Sequence, residues 1–169
     1  TGEQLKSMSV TNLSALTSTQ TAALSTTQVQ ALTGTQLKGL AGTDIGELTA
    51  TQVGALSAAQ IGALATTQMQ SLSTTQIGGL SATQISAITT SNISQLDATQ
   101  LGALTTTQLK GLTANQMGAL ATTQASSLAT TQVSSLANTQ VGALGATNFS
   151  ALNGTQVAAL TTTQIAGVT

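Results

Sequence analysis

The chain has no cysteine, histidine, proline, tryptophan, tyrosine or arginine, and one phenylalanine among its 169 residues. Without cysteine and histidine there is no thiol nucleophile, no imidazole base and no ordinary zinc site. A single aromatic ring offers no platform for stacking bases. Charged residues make up 4% of the chain, with a net charge of −1. The three lysines, Lys6, Lys38 and Lys110, are far apart and cannot neutralise a phosphate backbone, so a nucleic-acid partner is not expected. No apolar run approaches the roughly 18 residues of a membrane span.

Four acids, Glu3, Asp44, Glu47 and Asp97, are the only carboxylate side chains. Calcium takes about six to eight oxygens, usually with several carboxylates, and these acids are dispersed. Asp44 and Glu47 lie three residues apart, a spacing compatible with a weak cation or proton site. They read more simply as one capping acid and one surface acid. Threonine is abundant, but no base is present to activate a hydroxyl. Gly78-Gly79 is followed by no Lys-Ser or Lys-Thr pair, so it is no phosphate loop. The expectation is a protein without catalytic residues, metal or cofactor. The opening Thr1-Gly2-Glu3-Gln4 shows no basic region followed by an apolar stretch, and the chain does not begin with methionine. It reads as an excerpt from a longer chain.

What the sequence does contain is a repeat. Written in rows of eight, residues 1–168 form 21 octads without insertion or deletion, and Thr169 starts another. With positions labelled a to h, a representative row is Thr49-Ala50-Thr51-Gln52-Val53-Gly54-Ala55-Leu56. Position h is Leu in 18 rows, the others being Met8, Ile88 and Val168. Position e is apolar except at Thr21, counting Ala125 and Phe149 as apolar. Position d is Gln except at Asn12, Asp44, Asn92 and Asn148. Position g is small except at Glu47 and Gln95. Position f varies and holds all three lysines. The departures Thr21, Asp44, Glu47, Ala125 and Phe149 fall singly along the array, which favours a structural role over a binding site. Residues 1–169 read as one uninterrupted array.

Apolar residues spaced by three and then five fit no continuous element. A helix turning about 100° per residue would carry the stripe around its cylinder, and a strand would send e and h to opposite faces. The chain must turn once per octad, which defines a solenoid whose units share a core by stacking. The spacing predicts an all-α solenoid with one short capped helix per octad. Positions a and d make the Ser/Thr-x-x-Gln capping box, and position a is Ser, Thr, Asp or Asn in 15 rows. Glu3, Asp44 and Asp97 fall in the first half of the octad and the lysines in the second, as a helix dipole favours. Positions e and h share one helical face. Glycine and other small residues at f and g suit close approach of neighbouring backbones. The alternative is a β-solenoid, favoured by the Thr, Val and Ile content and by the capacity of glutamine rows to form amide ladders.

The rows TATQVGAL, SAAQIGAL, TTTQLKGL and NGTQVAAL resemble the Thr-Gln-(Val/Ile)-x-Ala-Leu octapeptide arrays of very large bacterial surface and secreted proteins described as adhesin-like. The resemblance covers essentially the whole array. It implies an extracellular, structural role at a bacterial surface, with no catalytic residues to carry over. The expected function is therefore a fibre, stalk or matrix filament whose partner is itself, by head-to-tail or lateral association. The alternative is a binding module for ice or for a surface polysaccharide, using threonine rows such as Thr105-Thr106-Thr107.

Overall fold

A computed structural model describes residues 1–168. Each octad holds one α-helix of four to six residues, from Gly2–Ser7 in octad 1 to Thr162–Ile165 in octad 21, and no strand occurs among the described residues. The all-α solenoid expected from the capping boxes is what forms, and the β-solenoid does not.

Octad 14, residues 105–112, shows how the local sequence closes the unit. Thr105 is extended at the N-cap, with φ −66° and ψ 161°. Its hydroxyl accepts from the Gln108 amide at 3.2 Å, and its own amide donates to Gln108 Oε1 at 2.8 Å. Two of the amides left over at a helix start are thereby satisfied. The helix Thr106–Lys110 follows, with Lys110 in its last turn. The Leu112 amide donates to the Leu109 carbonyl at 3.0 Å and ends the turn. Where position a is Ala, half of the box remains. Ala65 has no hydroxyl, yet its amide still donates to Gln68 Oε1 at 2.8 Å.

Helices this short are marginal or absent in water when isolated. Stacking supplies what they lack. Helices three octads apart pack on one another along the array. Hydrogen bonds between coils join residues 25 to 31 apart, so one coil takes between three and four octads. Position e points into the stack: Val53, Ile61, Met69, Ile85, Leu101 and Val133 are fully enclosed. The position-h leucines close the other side of the same continuous core. A buried side chain of this size contributes about 1.5–3 kcal/mol of transfer free energy, and most octads in the middle of the array supply two. Thr21, the polar exception at e, is buried as well. Phe149 packs against the core but is only half-buried.

Small residues at f and g lie where coils cross. A Cβ on Gly62 would stand 2.8 Å from the Ala87 carbonyl oxygen. That contact is closer than side-chain carbons tolerate, and it accounts for glycine there.

Candidate functional site

The chemically most specific side chain in each octad is the glutamine at d, and the structure gives it two tasks. Its Oε1 completes the capping box of its own octad. Its Nε2 reaches down to the octad four earlier and donates to carbonyls there. Gln36 Nε2 meets Leu5 O at 2.8 Å and Met8 O at 2.9 Å. Gln68 meets Leu37 O and Leu40 O, both at 2.6 Å. Gln116 meets Ile85 O at 2.9 Å and Ile88 O at 2.6 Å. The accepting carbonyls belong to positions e, f and h, at the end of the lower helix, where intrahelical partners run out. The amide therefore satisfies the start of one helix and the end of another. Every d glutamine from Gln36 onward is buried, and no buried side-chain nitrogen or oxygen lacks a partner among the described residues. Gln4, Asn12 and Gln20, with no coil beneath them, are exposed.

The exceptions at d show what the tie requires. Asn92 is one methylene shorter than glutamine. Its Nδ2 reaches only Leu64 O, at 2.8 Å, and its oxygen takes the Thr66 hydroxyl at 2.9 Å instead of its own cap amide. Asn148 likewise reaches only Leu120 O, at 2.7 Å. Asp44 as a carboxylate has no hydrogen to give. It accepts from the Ala41 amide at 3.0 Å and from the Ser14 hydroxyl at 2.7 Å.

The acids are not gathered. Asp97 is an N-cap that accepts from the Gln100 amide at 2.7 Å. Glu47 is exposed at the C-cap of the helix Gly42–Gly46, in whose first turn Asp44 lies. Glu3 pairs with Lys6 at 2.9 Å on an exposed helix face, a pair of the kind worth under about 1 kcal/mol. Thr105, Thr106 and Thr107 are all exposed, with the Thr105 hydroxyl engaged as a cap. Two spaces stand out. An open groove of about 820 Å³ runs across octads 5, 8, 9 and 12, lined by Thr35, Lys38, Gly62, Thr66, Ser91 and Asn92 among others. A cavity of about 20 Å³ lies beside Thr21 and Asp44 and is otherwise lined by leucines.

Fold and side-chain pattern together define a repeat protein, an all-α solenoid of octapeptide units tied by glutamine. Two stretches of the chain, residues 3–34 and 37–74, match the ALTTAQ repeat family. Ala-Leu-Thr-Thr-x-Gln is the junction of this octad read from g through d, as in Ala103-Leu104-Thr105-Thr106-Thr107-Gln108. No curated protein matches the chain. No helix of the described residues is long and apolar enough to cross a membrane.

Proposed function

We propose that the array is a structural element of an extracellular fibre, stalk or matrix filament at a bacterial surface, without catalytic activity and with itself as partner. The observation that carries this reading is the recurrence of one tie. In most octads from the fifth onward the most specific side chains, those at d, e and h, are consumed in stacking on the neighbouring coil. What is left outside is threonine, serine, alanine and glycine with few charges, a surface that offers little electrostatic resistance to lateral association. Immunogold electron microscopy on intact source cells tests the proposal. Label should follow surface or matrix filaments; label confined to the cytosol would reject it.

A second reading, a polysaccharide-binding module, is favoured by the groove beside Lys38. Hydroxyls from Thr35, Thr66 and Ser91 line it, and Lys38 is exposed there. An acidic polysaccharide is the class that one cation among hydroxyls would suit. Retention of alginate by the chain, weakened by Lys38→Gln, would support it; equal retention by both proteins would reject it.

A further inference from the structure

Three octads depart from the pattern at d together with a or g, so the departures are not all scattered singly. Octad 6 has Ala41 at the cap, Asp44 at d and Glu47 at g, with the 20 Å³ cavity beside Asp44. Octad 12 has Asn92 at d and Gln95 at g, one of the shortest helices, Thr90–Ile93, and the open groove at its flank. Octad 19 has Gly145 at the cap with φ +71°, no side-chain cap bond, and Asn148 at d. In each, the donation to carbonyls of the coil beneath is cut back: Asn92 and Asn148 each donate once, and Asp44 donates nothing. The Thr66 hydroxyl on Asn92 and the Ser14 hydroxyl on Asp44 also cross these seams. Between them, octads 7–11 and 13–18 carry an unbroken series of glutamine ties.

We propose that the array is an extensible tether whose coils part in sequence under tension, first at seams in octads 6, 12 and 19. Coils stacked in series along the axis all bear the same load, so the weakest interface yields first. Side-chain hydrogen bonds between coils span only 25 to 31 residues. Stability in such an array is a sum of unit and nearest-neighbour contributions, so a parted seam leaves the blocks on either side folded. Because every contact to be remade is local in sequence, re-formation after release is fast compared with folds held by distant pairings. Parting one coil frees 25–31 residues, about 80–110 Å of extended chain. This function goes beyond the structural role proposed above. It is a property of the chain alone, so a cytosolic location would leave it standing, and its failure would leave the surface location standing.

Optical-tweezer pulling of the full chain tests it, with cysteines added at the two ends as the only thiols. The natural chain should extend in several steps, the earliest releasing about one coil and re-forming on relaxation. The combined variant D44Q/N92Q/N148Q should lose the early steps and yield first at the force of the later ones. Gln108→Asn should add an early step. A single rip of the whole array, or an unchanged first yield in the triple variant, would overturn the proposal. Should circular dichroism show that the triple variant does not fold, hydrogen exchange on the natural chain decides. Faster exchange of the helix amides in octads 12 and 19 than in octad 14 supports the seams, and equal protection overturns them.

Discussion

Octads 12 and 14 occupy equivalent places in the solenoid, yet they are fastened differently to the coil below. Gln108 of octad 14 donates to Ile77, Gly78 and Leu80 carbonyls at 3.0, 3.1 and 2.6 Å while its oxygen holds the Thr105 amide. Asn92 of octad 12 makes one downward donation, to Leu64 O, and its oxygen accepts from the Thr66 hydroxyl of the coil below instead of from its own cap amide. One methylene separates the two side chains. The lesson is geometric: a side chain of glutamine's length grips its own cap and reaches two carbonyls beneath, and its amide accepts with the oxygen while the nitrogen supplies two hydrogens to the coil below.

The largest effect should come from keeping the length and removing the donor. Gln108→Glu places a carboxylate against three carbonyl oxygens in a site where Gln108 is 3% exposed. An unpaired buried charge of this kind costs about 3–5 kcal/mol, and the thermal midpoint should fall accordingly at pH 7. The carboxyl in the folded variant is pushed to a higher pKa by burial and by the facing carbonyls. A raised folded pKa means stability that is present below the unfolded carboxyl pKa and lost as pH rises through the folded one. The variant should therefore approach the parent at low pH and fall away toward neutrality. A pH series of thermal melts that showed a constant gap would contradict this.

Next in size is a pair of substitutions at position f. At Gly62 a Cβ would meet the Ala87 carbonyl oxygen at 2.8 Å, whereas at Gly102 nothing lies within 4 Å. Gly62→Ala should cost about 1–3 kcal/mol through forced separation of the two coils. Gly102→Ala, inside a helix with open space around it, should stabilise by about 0.5–1 kcal/mol. Denaturant midpoints moving in the same direction for both would show that glycine at f has no packing role.

Exchanging the side chains at d should exchange the fastening of octads 12 and 14. Gln108→Asn should forfeit one or two downward bonds and the cap bond, leaving carbonyls of the lower helix without a donor, at about 1–3 kcal/mol. Asn92→Gln should recover a similar amount if the longer side chain finds the Ile61 carbonyl and the Thr89 amide. Calorimetry of the two single variants gives both signs. An Asn92→Gln protein no more stable than its parent would show that octad 12 is held open by something besides the short side chain.

The octad, the chain reversal in each unit, the cap at a and the shared core at e and h were all legible in the sequence. Periodicity and capping chemistry are local, and eight residues display them completely. The second task of glutamine was not legible in the same way. It depends on how many octads make a coil, and near-identical octads carry no mark of which one lies above which. One signal was present: a capping box accepts Glu as readily as Gln at its last position, yet no octad has Glu at d. The exclusion of a residue that satisfies the cap equally well points to a need for the amide hydrogens. The seams were hidden for a related reason. Asp44, Asn92 and Asn148 look like tolerable polar substitutions one at a time, and their meaning appears only beside the carbonyls they fail to reach.

The smallest expected effect concerns the half-built caps. Octads 16, 17 and 18 begin with Ala121, Ala129 and Ala137, and none has a side-chain bond to the helix start. Glutamine still accepts from the cap amide in each, at 2.8 Å for Ala129 and Gln132. The backbone at Ala129, φ −65° and ψ 150°, closely matches that of the serine and threonine caps, such as Thr49 at −67° and 158°. A serine hydroxyl placed there would meet the Gln132 amide without any shift of the chain, and Ala129 is exposed, so nothing obstructs it. Ala129→Ser should therefore stabilise by about 0.5–1 kcal/mol, the lower part of the range for a capping hydroxyl. Since stability in a stacked array is carried by neighbours as well as by the unit itself, the gain should spread. Hydrogen exchange should slow at the amides of octad 17 and, to a lesser degree, in octads 14 and 20, which pack against it. Slowing confined to octad 17 would mean that the coils respond independently, and the glutamine ties would then transmit less than their geometry implies.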